Sequence, residues 1–142
     1  MTTATDPVAT TTRGKLRGTT EGDGIFVFRG IPYGASTAGS GRFRPPQPAE
    51  AWTGERDATE FGPICPQQGP LVSGESQFMG GSPRLPLSED CLVLNVWTPA
   101  ADDGGKRPVM VWLHGRGFTA GAGSEDLYNG ANLARRGDAV IV

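Results

Sequence analysis

The single histidine of the chain, His114, lies at the junction of an apolar run and a glycine-rich segment. Residues 109–113 are all apolar, and Gly115, Arg116 and Gly117 follow the histidine. Glycine permits a sharp turn and a close approach of the backbone to a ligand. Two backbone N–H groups converging on one oxygen form an oxyanion hole, where each donor contributes roughly 2.7–4 kcal/mol of transition-state stabilisation. The pattern therefore predicts an anion-binding loop that could support acyl transfer.

Regular elements are needed on both sides of this loop to hold it in place. Five consecutive apolar residues at 109–113 are typical of a strand covered on both faces, as in a parallel sheet. A preceding strand is predicted at residues 92–98. A short helix is predicted at about 130–136, with Gly137 as its C′ residue, followed by a buried strand at 138–142. Strand, helix and closing strand would form one right-handed crossover unit.

The first half of the chain predicts a hairpin and long loops. Residues 1–12 are polar and threonine-rich, so we expect a flexible tail before a domain at residues 13–142. An Asp-Gly pair, Asp23-Gly24, lies between two strand-like segments and is a strong hairpin signal. Turns fixed by proline are expected in the segment that follows, at Pro32, Pro45, Pro46, Pro48, Pro63, Pro66 and Pro70.

Five segments, taken in order, resemble the landmarks of one enzyme family. They are Phe28-Arg29-Gly30-Ile31-Pro32-Tyr33-Gly34, Arg42-Phe43-Arg44-Pro45-Pro46, Gly62-Pro63-Ile64-Cys65-Pro66-Gln67, Ser88-Glu89-Asp90-Cys91-Leu92-Val93-Leu94-Asn95-Val96 and His114-Gly115-Arg116-Gly117-Phe118. Over about residues 11–142 the chain resembles the type-B carboxylesterases, the α/β-hydrolase branch that includes the cholinesterases. The resemblance implies an α/β fold class, specifically the N-terminal part of an α/β-hydrolase: a β-hairpin, long Pro/Gly-rich loops, and central-sheet strands with one crossover helix.

The resemblance also assigns roles within the glycine-rich loop. The backbone N–H groups of Arg116 and Gly117 become the oxyanion donors, and His114 and Gly115 support the loop. The family ordinarily has glycine where Arg116 stands, so a Cβ atom is added, and a positive φ would cost on the order of 1–2 kcal/mol. The guanidinium could obstruct the acyl pocket, stabilise an oxyanion or bind an acidic substrate, or it could lie on the surface.

The catalytic triad of the family has no counterpart in these 142 residues. The nucleophilic serine of the family occupies a Gly-x-Ser-x-Gly elbow, followed by an acid and a histidine. The nearest approach, Gly74-Glu75-Ser76-Gln77-Phe78, ends in Phe and is interpreted as a polar loop. We therefore predict the N-terminal fragment of a serine carboxylesterase, incomplete before the elbow, inactive alone and completed by a downstream polypeptide. The alternative is a non-catalytic, cholinesterase-like interaction module.

Cys65 and Cys91 allow two interpretations. Two distant cysteines in a cytosolic protein are more often free thiols than a bridge. The resemblance instead implies a disulfide, which would close a loop of about 26 residues and add roughly 3–4 kcal/mol by loop-closure entropy. Phe78 is the only aromatic residue between them, so a cation–π site for choline is unsupported. A general carboxylic ester, aryl or short acyl, is the expected substrate.

The resemblance implies one further structural pair, a salt bridge between Arg42 and Glu89. A bidentate and partly buried pair would fix the geometry of the loop more than it would add stability. The alternative is two unrelated surface charges.

Composition argues against several other classes of function. Thirteen basic and fifteen acidic side chains, without long clusters, offer no footprint for nucleic acid or an anionic membrane. Residues 121–126 begin like a dinucleotide loop but lack its third glycine, and the cysteines lack zinc-like spacing, so no cofactor or metal is expected. The first residues show no signal-peptide pattern, and a cytoplasmic location is the expectation.

Overall fold

The computed structural model describes residues 6–67 and 85–142. Within these ranges the strands are β1 (Val8–Thr11), β2 (Gly14–Arg17), β3 (Thr19–Glu21), β4 (Ile25–Pro32), β5 (Glu55–Asp57), β6 (Val93–Thr98), β7 (Val109–Met110) and β8 (Val140–Ile141). The helix α1 spans Ala131–Gly137, and single 3-10 turns lie at Gly39–Gly41 and Asp126–Tyr128. None of the described helices is long and apolar enough to cross a lipid bilayer.

A small sheet contains the first two strands and β5. Strand β1 pairs antiparallel with β2, and β2 pairs parallel with β5. The turn between β1 and β2 is closed by Thr11, whose Oγ1 donates to the carbonyl oxygen of Gly14 at 2.7 Å. Regular structure thus begins at Val8, within the segment that the sequence assigns to a flexible tail.

The larger sheet has the strand order β3-β4-β6-β8-β7. The antiparallel pair β3–β4 confirms the hairpin predicted around Asp23-Gly24. Gly22 and Gly24 adopt φ values of 49° and 86°, which glycine tolerates because it has no Cβ atom. The first arm of this hairpin is β3 rather than the preceding segment, which belongs to the small sheet.

A β-α-β unit forms the far side of the larger sheet. Strand β6 lies where the sequence predicts a strand, and α1 connects β7 to its parallel neighbour β8. Strand β8 also pairs antiparallel with β6 through Trp97 and Ile141, so the last strand in sequence lies inside the sheet. Gly137 is the last residue of α1, and Asp138 adopts the left-handed C-cap conformation with φ 43°. The prediction of Gly137 as the C′ residue was therefore wrong by one position, and aspartate tolerates this conformation better than most residues.

Two apolar clusters hold these elements together. The first lies between the larger sheet and α1 and contains Ile25, Val27, Trp97, Ala134, Ala139 and Ile141. The second joins the two sheets through Leu16, Phe28 and Ala58. The helix can approach the sheet because Gly130 precedes it: a Cβ atom there would lie 2.8 Å from Cγ2 of Ile141. Helix and sheet thus position the segment that leads into the glycine-rich loop.

The apolar run at residues 109–113 lies at the edge of the larger sheet. Its regular part is β7, and pairing continues through Trp112, whose N–H donates to the carbonyl oxygen of Val142 at 2.7 Å. The extended conformation agrees with the prediction, but Val109 is 63% exposed and Leu113 is 83% exposed. The predicted cover on both faces is therefore not found among the described residues.

Candidate functional site

A left-handed turn follows the apolar run. Arg116, Gly117 and Phe118 have φ values of 75°, 59° and 63°. Thr119 closes the turn, because its backbone N–H donates to the carbonyl oxygen of Arg116 at 3.2 Å and its Oγ1 donates to the same oxygen at 2.9 Å. The first backbone N–H groups of a helical turn have no acceptor within the turn, and they are directed outward from its N-terminal end.

The two N–H groups assigned as oxyanion donors have no acceptor among the described residues. No oxygen in residues 6–67 or 85–142 accepts a hydrogen bond from the backbone nitrogen of Arg116 or Gly117. Both residues are exposed. Within the described part of the chain, an external anion would therefore reach these donors without breaking an internal hydrogen bond.

His114 lies against the segment that follows the turn. Its Nδ1 is 3.1 Å from the carbonyl oxygen of Gly115, and a Cβ atom built on Gly121 would be 2.8 Å from the same nitrogen. Gly121 has a φ of 102°, so it supplies both the backbone conformation and the space for the imidazole. His114 thus lies against the loop backbone, and its supporting role stays a prediction.

The side chain of Arg116 turns back toward a buried carboxylate. Its Nη2 donates to Oε2 of Glu125 at 2.8 Å, and the Glu125 side chain is only 2% exposed. The hydrogen bond to Glu125 raises the pKa of the Arg116 guanidinium above its ordinary value. Arg116 is thus paired within the protein, and the left-handed backbone expected to strain a non-glycine residue is present.

Three polar side chains hold the segment at residues 121–125, and the sequence analysis assigned none of them. Oε1 of Gln67 accepts from the N–H of Gly121 at 2.8 Å. Nδ2 of Asn95 donates to the carbonyl oxygen of Gly123 at 3.2 Å. Oε1 of Glu125 accepts from the N–H of Ala122 at 3.3 Å. Asn95 interrupts an apolar strand, and this was the one signal that could have identified a structural amide.

Arg42 and Glu89 form a bidentate ion pair. Nε of Arg42 lies 2.5 Å from Oε1 of Glu89, and its Nη2 lies 2.6 Å from Oε2. The Arg42 side chain is 58% exposed and that of Glu89 is 32% exposed, so the pair is nearer the surface than expected. The hydrogen bond from Arg42 holds the pKa of Glu89 below its ordinary value.

Cys65 and Cys91 are free thiols in the structure. Burial raises the pKa of Cys91 to about 11, and the charge and hydrogen bond of the neighbouring Cys65 thiol add to the effect. The two cysteines are therefore neighbours but not bonded. Residues 68–84 between them lie outside the described residues, and these include Ser76 in the near-match to the nucleophile elbow, and Phe78.

Sequence comparisons identify relatives with known activities. A sequence model of the carboxylesterase family matches residues 5–142. The chain is 47% identical to a phenmedipham hydrolase from Pseudarthrobacter oxydans over 136 residues, covering 96% of this chain and 27% of the relative. It is 45% identical to the para-nitrobenzyl esterase of Bacillus subtilis (strain 168), covering 97% of this chain and 27% of the relative. The chain therefore spans about a quarter of the length of these curated relatives.

Solved structures match to the same extent. A PNB esterase superimposes with a TM-score of 0.83 at 42% identity, covering 96% of this chain and 27% of that structure. A carboxylesterase from Geobacillus stearothermophilus gives a TM-score of 0.79 at 44% identity, covering 94% of this chain and 25% of its own length. The mixed sheet with helix α1 corresponds to the N-terminal part of the α/β-hydrolase fold of these esterases. The chain belongs to the carboxylesterase family.

Proposed function

We propose that this chain supplies the oxyanion-hole loop of a serine carboxylesterase, which hydrolyses carboxylic esters through an acyl-enzyme. The observation that carries the proposal is the pair of exposed backbone N–H groups at Arg116 and Gly117, which have no acceptor among the described residues. Attack on an ester carbonyl places negative charge on its oxygen, and donors at about 2.7–3.1 Å from that position stabilise the transition state.

The remaining catalytic groups would come from outside this chain. Acyl transfer of this type requires a nucleophile, a base and an acid held in contact. The 142 residues contain no Gly-x-Ser-x-Gly segment, and their single histidine belongs to the loop. The chain alone is therefore expected not to hydrolyse esters.

The apolar run beside the loop supports a polypeptide partner that completes the fold. Val111 is 62% exposed, Trp112 59% and Leu113 83%, although such runs are ordinarily buried in α/β sheets. The curated relatives are almost four times longer than the matched part. We infer that the corresponding downstream part of a carboxylesterase covers these residues.

A chimaera tests the proposal. The matched N-terminal part of the Bacillus para-nitrobenzyl esterase would be replaced by this chain, and hydrolysis of para-nitrobenzyl acetate would be measured. The chimaera is expected to turn over the ester, whereas the isolated chain is expected not to. Because one relative is named for para-nitrobenzyl esters, a benzylic ester of a short acid is a suitable probe.

Two variants of the chimaera examine the donor itself. Gly117→Ala strains a residue with φ 59° but keeps its N–H, whereas Gly117→Pro removes the N–H and also excludes that φ, because the proline ring fixes φ near about −65°. The proline variant is expected to lose about 10²–10³-fold more in kcat than the alanine variant. A trifluoromethyl ketone, which mimics the tetrahedral intermediate, should lose affinity in the same proportion as kcat/KM.

A well-folded chimaera without turnover or affinity for the ketone would overturn the proposal. That result would favour the non-catalytic interaction module.

A further inference from the structure

We propose that Glu125 and Arg116 form an ionic clamp that positions the oxyanion loop, replacing the conformational role ordinarily given to glycine at residue 116. The clamp rests on the proposed function of the loop. It makes Arg116 a positioning residue through its side chain, while its backbone N–H remains an oxyanion donor.

The geometry of the Glu125 carboxylate carries this inference. One oxygen accepts from Nη2 of Arg116 at 2.8 Å, and the other accepts from the backbone N–H of Ala122 at 3.3 Å. The carboxylate thus binds the first residue of the left-handed turn and a residue six positions later. The segment at residues 116–122, which contains the turn, is thus tied at both ends to one side chain and has little freedom to unwind.

Burial of the Glu125 carboxylate makes its stability depend on the Arg116 guanidinium. The Glu125 side chain is 2% exposed and that of Arg116 is 30% exposed. A buried carboxylate without a cation carries a desolvation penalty of several kcal/mol, which pairing and hydrogen bonding offset. If Arg116 were removed, the carboxylate would turn toward water and release Ala122.

Backbone strain gives the clamp a second function. Arg116 has a φ of 75°, a region that costs a non-glycine residue on the order of 1–2 kcal/mol. Such conformations persist when surrounding contacts over-determine them. The bond to Glu125, together with the two bonds that Thr119 donates to the carbonyl oxygen of Arg116, holds this residue on both its side-chain and main-chain atoms.

The ion pair with Glu125 also determines whether the Arg116 guanidinium attracts a charged substrate. Its charge is already balanced by Glu125, and arginine remains protonated at all physiological pH values. The clamp therefore leaves the backbone donors of the turn as the anion-binding groups. The side chain itself fixes the loop without attracting an acidic ester.

Amide measurements on the 142-residue chain test the clamp independently of catalysis. The solvent-exchange rate of the Ala122 N–H and the order parameter of the Gly117 N–H would be measured by NMR in the wild type, Arg116→Gly, Glu125→Leu and the double variant. Exchange at Ala122 should rise at least about tenfold in either single variant. The Gly117 order parameter should fall from about 0.85 to below about 0.6.

The double variant and two substitutions of Arg116 separate a clamp from general destabilisation. The double variant should exchange no faster than either single variant, because each one already breaks the clamp. Arg116→Lys should restore slow exchange, whereas Arg116→Gln should not. Arg42→Gly, which breaks a different ion pair, is the matched control, and neither it nor the loop variants should accelerate exchange of the core amide of Val27.

Unchanged Ala122 exchange in Arg116→Gly, additive effects in the double variant, or Arg116→Lys behaving like Arg116→Gln would each overturn the clamp. These outcomes are distinct from failure of the proposed function, which is judged by ester turnover in the chimaera. A working chimaera with a clamp-negative result would leave the oxyanion loop intact but positioned by other contacts.

Discussion

Gln67 and Gly121 exchange two hydrogen bonds. Oε1 of Gln67 accepts from the N–H of Gly121 at 2.8 Å, and its Nε2 donates to the carbonyl oxygen of the same residue at 3.1 Å. Nε2 also donates to the carbonyl oxygen of Cys65 at 3.1 Å. One amide side chain therefore connects the cysteine-containing loop to the segment that follows the glycine-rich loop.

Substitution of Gln67 should lower the stability of the fold. Gly121 is buried, so Gln67→Ala would leave the N–H and carbonyl groups of Gly121 without these partners. We expect the free energy of unfolding to fall by about 1–3 kcal/mol, as measured by urea denaturation. Gln47→Ala is the matched control, because Gln47 donates only to the nearby carbonyl oxygen of Pro45 at an exposed site. Equal effects of the two substitutions would show that the connection to Gly121 contributes nothing.

A methyl group at Gly121 should be poorly tolerated. Gly121→Ala would place Cβ 2.8 Å from Nδ1 of His114 at a residue with φ 102°. Backbone strain alone costs on the order of 1–2 kcal/mol, so we expect a loss of at least about 2 kcal/mol by thermal or urea denaturation. Gly123→Ala, whose Cβ would meet only Nδ2 of Asn95 at 3.7 Å, should change stability much less. Similar losses in the two variants would contradict the role of the His114 contact.

The Arg42–Glu89 pair should make stability depend on pH. Because the pKa of Glu89 is lowered in the folded protein, its contribution is complete above the ordinary value of 4.5 and is lost as pH falls through the folded value. The difference in urea midpoint between the wild type and Glu89→Gln should therefore be greatest near neutral pH and disappear in acid. Other carboxylates affect both proteins equally. A difference that is constant between about pH 7 and about pH 3 would refute the expectation.

The two thiols should differ in reactivity. Cys65 is exposed, whereas burial raises the pKa of Cys91 from 9.0 to about 11. Since the thiolate is the reactive form, alkylation of Cys91 near pH 8 should be about 100-fold slower than for an ordinary thiol. Mass spectrometry of iodoacetamide-treated protein would measure both rates.

A Cys65→Ser variant serves as the control for this experiment. Cys91 should remain slow in that variant, because burial is the largest cause of its raised pKa. Rapid labelling of Cys91, or a disulfide found under non-reducing conditions, would contradict the prediction.

Local patterns predicted the elements that depend on near neighbours in sequence. The Asp23-Gly24 turn, strand β6 and the β-α-β unit each have a signal within about ten residues of chain. Strand β5 had no such signal. Its residues Glu55–Asp57 are charged and exposed, and they form a strand only because β2, some forty residues away, offers a free edge. Pairing of this kind depends on the tertiary arrangement and not on propensity.

In the candidate site, too, some features could be predicted from nearby residues and others depend on the tertiary structure. The position of the glycine-rich loop follows from its own residues, and resemblance to a family placed Arg42 beside Glu89. The partner of Arg116 could not be predicted, because Glu125 lies nine positions later in an irregular segment without the regular spacing that aligns side chains on a helix. The exposure of residues 109–113 was also unpredictable, since it depends on what packs against the sheet.

The strand order has a consequence for synthesis on the ribosome. Strand β7, which leads directly into the glycine-rich loop, pairs only with β8 among the described strands, and β8 is formed by Val140–Ile141. The hairpin of β3 and β4 and its partner β6 are complete once residue 98 has emerged from the exit tunnel. The apolar run at residues 109–113, in contrast, has no pairing strand until about thirty residues after it have been translated, a span of a few seconds at about 5–20 residues per second. During that interval the longest unbroken apolar run of the chain stays unpaired and accessible to chaperones.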